Sequence, residues 1–168
     1  GLGDVYKRQV LAGSLPRGVN TDWYCDLISA VRAAAPQARI AVDTSDAPMQ
    51  AIGESLNSAA PDLIKPNGLE LGQLTGTDGR ELEDQAARGE YSGVVRAARD
   101  VVKQGIAEVL VTLGGAGAVL VTADGAWAAT PPPATVKSTV GAGDAALAGY
   151  LLGRTAGKSQ AGSLGQFG

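Results

Sequence analysis

Residues 91–113 read Tyr-Ser-Gly-Val-Val-Arg-Ala-Ala-Arg-Asp-Val-Val-Lys-Gln-Gly-Ile-Ala-Glu-Val-Leu-Val-Thr-Leu. Two periodicities meet in this stretch. Val94, Val95, Ala98, Val101 and Val102 recur at three- and four-residue spacings, which places them on one face of a helix over 91–104. Gly105 ends that helix. Glu108 to Leu113 (EVLVTL) is then an unbroken apolar run, which reads as a strand covered on both faces. A helix leading directly into a doubly covered strand is the building unit of a parallel, layered α/β sheet.

The same alternation runs upstream. Val10-Leu11-Ala12 is a short strand entering the turn Gly13-Ser14-Leu15-Pro16-Arg17-Gly18. Asp22 to Ala35 reads as a helix with Trp23, Leu27, Ala30, Val31 and Ala34 inward. Arg39 to Val42 is a buried-type strand ending at Asp43, and Ala47 to Ser58 is a second helix. Asp62 to Lys65 is a strand halted by Pro66, followed by a short helix from Gly68 to Leu74 after Asn67. Gly79 to Glu90 is polar and charged and reads as a surface segment. Downstream, Ala118–Val121 and Ala126–Thr130 are strands joined by Asp124-Gly125, a hairpin signal. The expected fold is therefore α/β with a mostly parallel sheet and an antiparallel addition. Residues 1–9 look foreign to it, 10–157 carry the domain, and 158–168 are a low-information tail.

Composition narrows the function classes. The chain has 168 residues, 45% hydrophobic, with 24 glycines and 4% aromatics, so Ala, Val, Leu and Ile must build the core. It contains no histidine, which removes Ser-His and Cys-His catalysis and His-ligated metals. A net charge of −3 with no basic run argues against a nucleic-acid partner. Cys25 is the single cysteine, so no internal disulfide forms, in keeping with a cytoplasmic setting. No apolar run approaches the roughly 20 residues of a membrane span.

Chemistry concentrates in a few segments. Ser138-Thr139-Val140-Gly141-Ala142-Gly143-Asp144-Ala145-Ala146 sets two glycines and a carboxylate before the apolar run Ala145–Leu152, which reads as the start of a helix. Backbone N–H groups at a helix N-terminus lack internal partners and suit a phosphate. Asp144 beside them can accept a proton from a hydroxyl attacking a phosphoryl group. The plainer alternative is a glycine turn capped by an Asp.

Thr112-Leu113-Gly114-Gly115-Ala116-Gly117 follows a strand, but its glycines do not fit GxGxxG. The residues after it read as strand, so a dinucleotide-binding turn fails its context test and a glycine hairpin stays open. Asn67 and Glu70 share one helix face, either as a functional pair or as a capping box. Gly157-Lys158-Ser159 has Leu152 where a P-loop needs glycine and is rejected. Lys65 reads as a solvated lysine at a strand end. Asp43 ends a strand on the side where such sheets bind ligands.

Four of these segments, in order, resemble signatures of the ribokinase-like (PfkB) sugar kinases. They are Gly13–Gly18 (GSLPRG), Lys65–Leu71 (KPNGLEL), Thr112–Ala118 (TLGGAGA) and Val140–Ala145 (VGAGDA), and together they span roughly 130 residues, far more than one short motif. Asp43 also resembles the Asp of the family's DTSG segment, with Asp46 in place of the glycine. The resemblance implies a three-layer α/β/α sandwich, incomplete at both ends, and ATP-dependent phosphorylation of a small sugar phosphate. Fructose 1-phosphate is the first choice of substrate. Tagatose 6-phosphate or another sugar is the alternative, and a non-catalytic nucleotide-binding fragment is the alternative from another class.

The resemblance further implies Asp144 as base with Gly141, Ala142 and Gly143 as the anion hole. It implies Thr112, Gly114, Gly115 and Gly117 beside ATP, with Asn67 and Glu70 organising Mg²⁺ and phosphate, Glu70 through water. Arg17 is the basic residue within the turn assigned to substrate, and a homodimer is the assembly it allows for the intact enzyme. The segments that would contact the sugar and close over the adenine have no counterpart in this sequence. The 168 residues alone are therefore expected to be weakly stable, prone to associate through an unpaired sheet edge, and inactive.

Overall fold

The computed structural model describes residues 8–130 together with Gly149 and Tyr150. Six strands form one sheet in chain order. β1 (Arg8–Ala12), β2 (Arg39–Asp43), β3 (Leu63–Ile64) and β4 (Glu108–Thr112) run parallel. β5 (Ala118–Thr122) and β6 (Ala126–Ala129) add antiparallel to β4. The hairpin between them is closed by the Thr122 N–H on the Gly125 carbonyl and by the Asp124 N–H on Thr122 Oγ1. The sequence reading of a mostly parallel α/β sheet is thus the observed one. Among the described residues β1 starts at Arg8, and Arg8 and Gln9, expected to belong to a foreign leader, pair in register with Arg39 and Ile40.

Both faces of the central strands are covered, as continuous apolar strands require. On one face Ile40, Val42, Ile64, Val109, Val111, Val119 and Val121 pack against the helices in the larger core. On the other, Ala41, Leu63, Leu110, Ala118 and Leu120 pack with Tyr150. Period-two alternation divides each strand between the two cores. β1 is less well covered: no residue of it is buried, and Val10 is 47% exposed.

The helices are α1 (Trp23–Ala34), α2 (Asp46–Glu54), α3 (Leu56–Ala59), α4 (Gly68–Thr75), α5 (Gly79–Ala87) and α6 (Ser92–Lys103). α6 buries Val94, Ala97, Ala98 and Val101, close to the face read from its spacing. α1 is rotated relative to expectation. It buries Tyr24, Cys25 and Ile28, while Trp23 is 44% exposed and stacks edge-on against Tyr24. In an alanine-rich helix two apolar stripes fit the spacing, and the larger buried partners select one. The single helix read over 47–58 is divided at Ser55.

The segment 79–90, read as surface, is largely helix. The Asp78 side chain accepts from the N–H groups of Arg80 and Glu81, capping α5, and Leu82 and Ala86 are buried. Two apolar residues four apart suffice to seat a polar helix when a neighbour approaches closely. That approach occurs at Gly79, where an added Cβ would lie 2.6 Å from the Leu69 Cα and 2.8 Å from the Gly68 carbonyl oxygen. Both obstacles are backbone and cannot rotate away. Gly79→Ala should therefore destabilise the chain by at least about 2 kcal/mol, as overpacking does. Urea unfolding checks this, and an unchanged midpoint would show that α4 and α5 separate at little cost.

Candidate functional site

Four strands running in one direction deliver their following loops to one edge of the sheet. The turn after β1 (13–18), the segment after β2 (43–46), the segment after β3 (65–70) and the turn after β4 (112–117) all lie at the carboxyl edge. Ligands of open α/β sheets bind at this edge. Hydrogen bonds fasten the loops to one another. The Gly13 N–H donates to the Asp43 carbonyl at 3.0 Å, and the Thr112 N–H donates to the Pro66 carbonyl at 3.0 Å. Asn67 and Thr112 form a parallel bridge, so two of the sequence segments are adjacent in space.

Lys65 corrects the sequence reading. Its side chain is only 12% exposed, and its ammonium lies 3.1 Å from Asp43 Oδ1, itself on a side chain 14% exposed. A charge removed from water needs a partner, and the two ends of adjacent parallel strands supply one. The available signal was a charged residue closing each of two apolar strands at the ligand-binding edge.

Asn67 and Glu70 form the capping box weighed from their spacing. The Asn67 side chain accepts from the Glu70 N–H at 2.8 Å, and Glu70 Oε2 accepts from the Asn67 N–H at 2.8 Å. Glu70 is 8% exposed. Burial pushes its pKa above the ordinary 4.5; the Asn67 N–H, the Lys65 charge and the Asp46 N–H act in the opposite direction. Asp46 adopts φ 55°, a left-handed conformation rare outside glycine, although Asp tolerates it better than most. The backbone at position 46 is therefore glycine-like where the resembled segment has glycine.

The turn after β4 folds as a short 3₁₀ helix, Gly114–Ala116. The Leu113 N–H bonds to the Gly117 carbonyl, and Tyr91 Oη donates to the Ala116 carbonyl. Its glycines differ in what they meet. Gly117 has φ 92°, and a Cβ there would strike the Ala129 carbonyl of β6. A Cβ at Gly115 would meet nothing within 4 Å. The structure itself requires Gly117, whereas Gly115 faces open space. Arg17 is exposed on the turn after β1. Gly141, Ala142, Gly143 and Asp144 lie outside the described residues, as does the expectation that their loop shares this edge.

Among the described residues no three His, Cys, Asp or Glu side chains gather to hold a metal ion, and no helix is long and apolar enough to cross a membrane. A cation near Glu70 would meet a carboxylate already bonded to backbone N–H groups. Such a donor suits a hard ion that keeps most of its waters.

Residues 5–166 match the pfkB family carbohydrate kinase pattern, and the chain belongs to that family. Over 147 residues it is 41% identical to the 1-phosphofructokinase of Rhodobacter capsulatus, covering 88% of this chain and 42% of that protein. Over 143 residues it is 38% identical to the 1-phosphofructokinase of Escherichia coli K12, covering 85% and 41%. The chain thus spans less than half the length of these relatives. The crystal structure of phosphofructokinase-2 from Escherichia coli in complex with fructose-6-phosphate superposes with TM-score 0.72 at 30% identity, covering 93% of this chain and 47% of that one.

Two outcomes test this geometry. Glu70 has a raised folded-state pKa, so its contribution to stability is fully present below about 4.5 and is lost as pH rises through the folded value. Glu70→Gln retains the acceptor for the Asn67 N–H without the charge. Its stability relative to wild type should therefore grow between pH 4 and pH 7.5, as read from thermal unfolding in metal-free buffer. A pH-independent gap would remove burial as the cause. Separately, Gly117→Ala should cost at least about 2 kcal/mol, for both strain and collision. Gly115→Ala should cost less than about 1 kcal/mol. Equal losses in denaturant titrations would contradict the assigned difference.

Proposed function

We propose that this chain is part of an ATP-dependent phosphosugar kinase whose substrate is fructose 1-phosphate and whose product is fructose 1,6-bisphosphate. The observation that carries the reading is the convergence of 13–18, Asp43, Lys65–Glu70 and Thr112–Gly117 on one sheet edge. Identity of 41% to a 1-phosphofructokinase supports the choice of sugar. Asp144 is assigned as base. It takes the proton of the sugar hydroxyl as the hydroxyl oxygen bonds to the γ-phosphorus, and the bond from that phosphorus to the ADP oxygen breaks in line. The N–H groups of Ala142, Gly143 and Asp144 are assigned to the developing charge.

Thr112, Gly114, Gly115 and Gly117 are assigned to the ATP side. The open space at Gly115 suits close approach of a nucleotide to the backbone. Asn67 and Glu70 are assigned to Mg²⁺, Glu70 through water. That ion, when bound, neutralises charge on the ATP phosphates. Lys65, whose charge acts on Glu70, is assigned to the anion site, and Arg17 is assigned to the sugar's phosphate. Because the chain spans 42% of its relative, the 168 residues alone are proposed to be inactive, acting at most as a nucleotide-binding fragment.

In the full-length protein, Asp144→Asn should lower kcat at least about a hundredfold while leaving the ATP KM nearly unchanged. Coupled ADP-release assays with fructose 1-phosphate, fructose 6-phosphate and tagatose 6-phosphate identify the substrate. Near-normal turnover in the variant would take Asp144 out of the reaction, and preference for tagatose 6-phosphate would favour the sibling specificity.

A further inference from the structure

β1 leaves the sheet at Ala12, and the next residue is held unusually firmly for a loop. Gly13 has φ 114°, a conformation that suits glycine alone among common residues. Its N–H donates to the Asp43 carbonyl at 3.0 Å. Its carbonyl accepts two hydroxyls, Tyr24 Oη at 2.7 Å and Thr44 Oγ1 at 3.2 Å. Both donors are buried, Tyr24 at 4% and Thr44 at 6% exposure. They come from different elements, α1 and the connection after β2. A carbonyl oxygen has two lone pairs, so its capacity is filled.

Beyond this point the support thins. Ser14, Pro16, Arg17 and Gly18 are exposed. Leu15 packs partly against the core, and the turn's own backbone bond is Val19 N–H to the Pro16 carbonyl at 3.2 Å. The direction in which the turn leaves the sheet is therefore set at Gly13. Asp43 links that anchor to the rest of the edge: its carbonyl holds Gly13 while its carboxylate holds Lys65. Packing alone does not account for the hydroxyls. A phenylalanine ring would fill the core at position 24 equally well, and a valine would fill position 44.

We infer that Tyr24 and Thr44 are positioning residues that orient the 13–18 turn, and with it Arg17, toward the phosphosugar by clamping the Gly13 carbonyl. This inference rests on the kinase reading above. Neither side chain touches substrate; each acts through the backbone. Small misplacements of a binding group are costly to recognition, so the clamp should show in sugar binding before it shows in the chemical step.

The test uses Tyr24→Phe, Thr44→Val and the double variant in the full-length protein. The double variant should raise the phosphosugar KM roughly tenfold, leaving kcat and the ATP KM within about twofold. Amide hydrogen exchange of Ser14, Leu15 and Arg17 should accelerate by a similar factor, with β1 and α1 protected as before. Thr44→Ser, which keeps a hydroxyl at that position, should leave both readouts near wild type. If the double variant does not fold, Tyr24→Phe alone decides, with about a threefold change expected. An unchanged phosphosugar KM in a folded variant, an equal rise in the ATP KM, or exchange spread through α1 would overturn the inference. If the wild-type protein phosphorylates no sugar phosphate, the kinase reading and the sugar-positioning role fall together. Accelerated exchange confined to the turn would then still establish the clamp as an anchor of that loop.

Discussion

The rest of the structure depends on the parallel registration of β1 to β4. Strands paired side by side in one direction must end at the same edge, and the residues following each are brought together whatever their distance in sequence. Arg8–Ala12 pairs with Arg39–Asp43, and that strand pairs with Leu63–Ile64, which pairs in turn with Glu108–Val109. The central parallel strands are covered on both faces, so they need apolar residues at each position and helices long enough to cross back. The alternating assignment of Ile40, Ala41 and Val42 to opposite cores satisfies the first demand.

Electrostatics at that edge follows from the same constraint. Asp43 and Lys65 end neighbouring strands and neutralise one another where burial would penalise either alone. Glu70 sits a turn further on, desolvated, with its cost offset by backbone N–H groups and by Lys65. The capping box also starts α4 beside the bridge between Asn67 and Thr112. The functional and the structural readings of Asn67 and Glu70 are therefore compatible. A carboxylate fixed at a helix start by its own capping partner is already oriented for a second task.

Legibility varied with the strength of the local signal. Glu108–Thr112 and the helix before it were plain because two unlike periodicities abut there. The Asp124-Gly125 hairpin was plain because a turn-forming dipeptide stands between two short apolar runs. α1 was placed but with its buried face rotated, since alanines at many positions blur the apolar stripe. α5 was read as a surface segment because its seat is made by Gly79 lying against the backbone of Gly68 and Leu69, a contact from outside the segment. Lys65 was read as solvated because nothing local to it announces Asp43, 22 residues away in sequence.

The chain by itself determined the α/β class, the order of its elements and the short segments that carry its family membership. These depend on local periodicity, turn chemistry and contiguous motifs, all written along one dimension. Only the tertiary structure decided which of those segments meet, that Asp43 and Lys65 form a largely shielded ion pair, and that Tyr24 and Thr44 close on the Gly13 carbonyl. It also separated Gly117, pressed against β6, from Gly115, which faces open space. Such distinctions depend on distances between residues remote in sequence. Those distances arise only when burial and strand pairing bring the elements together.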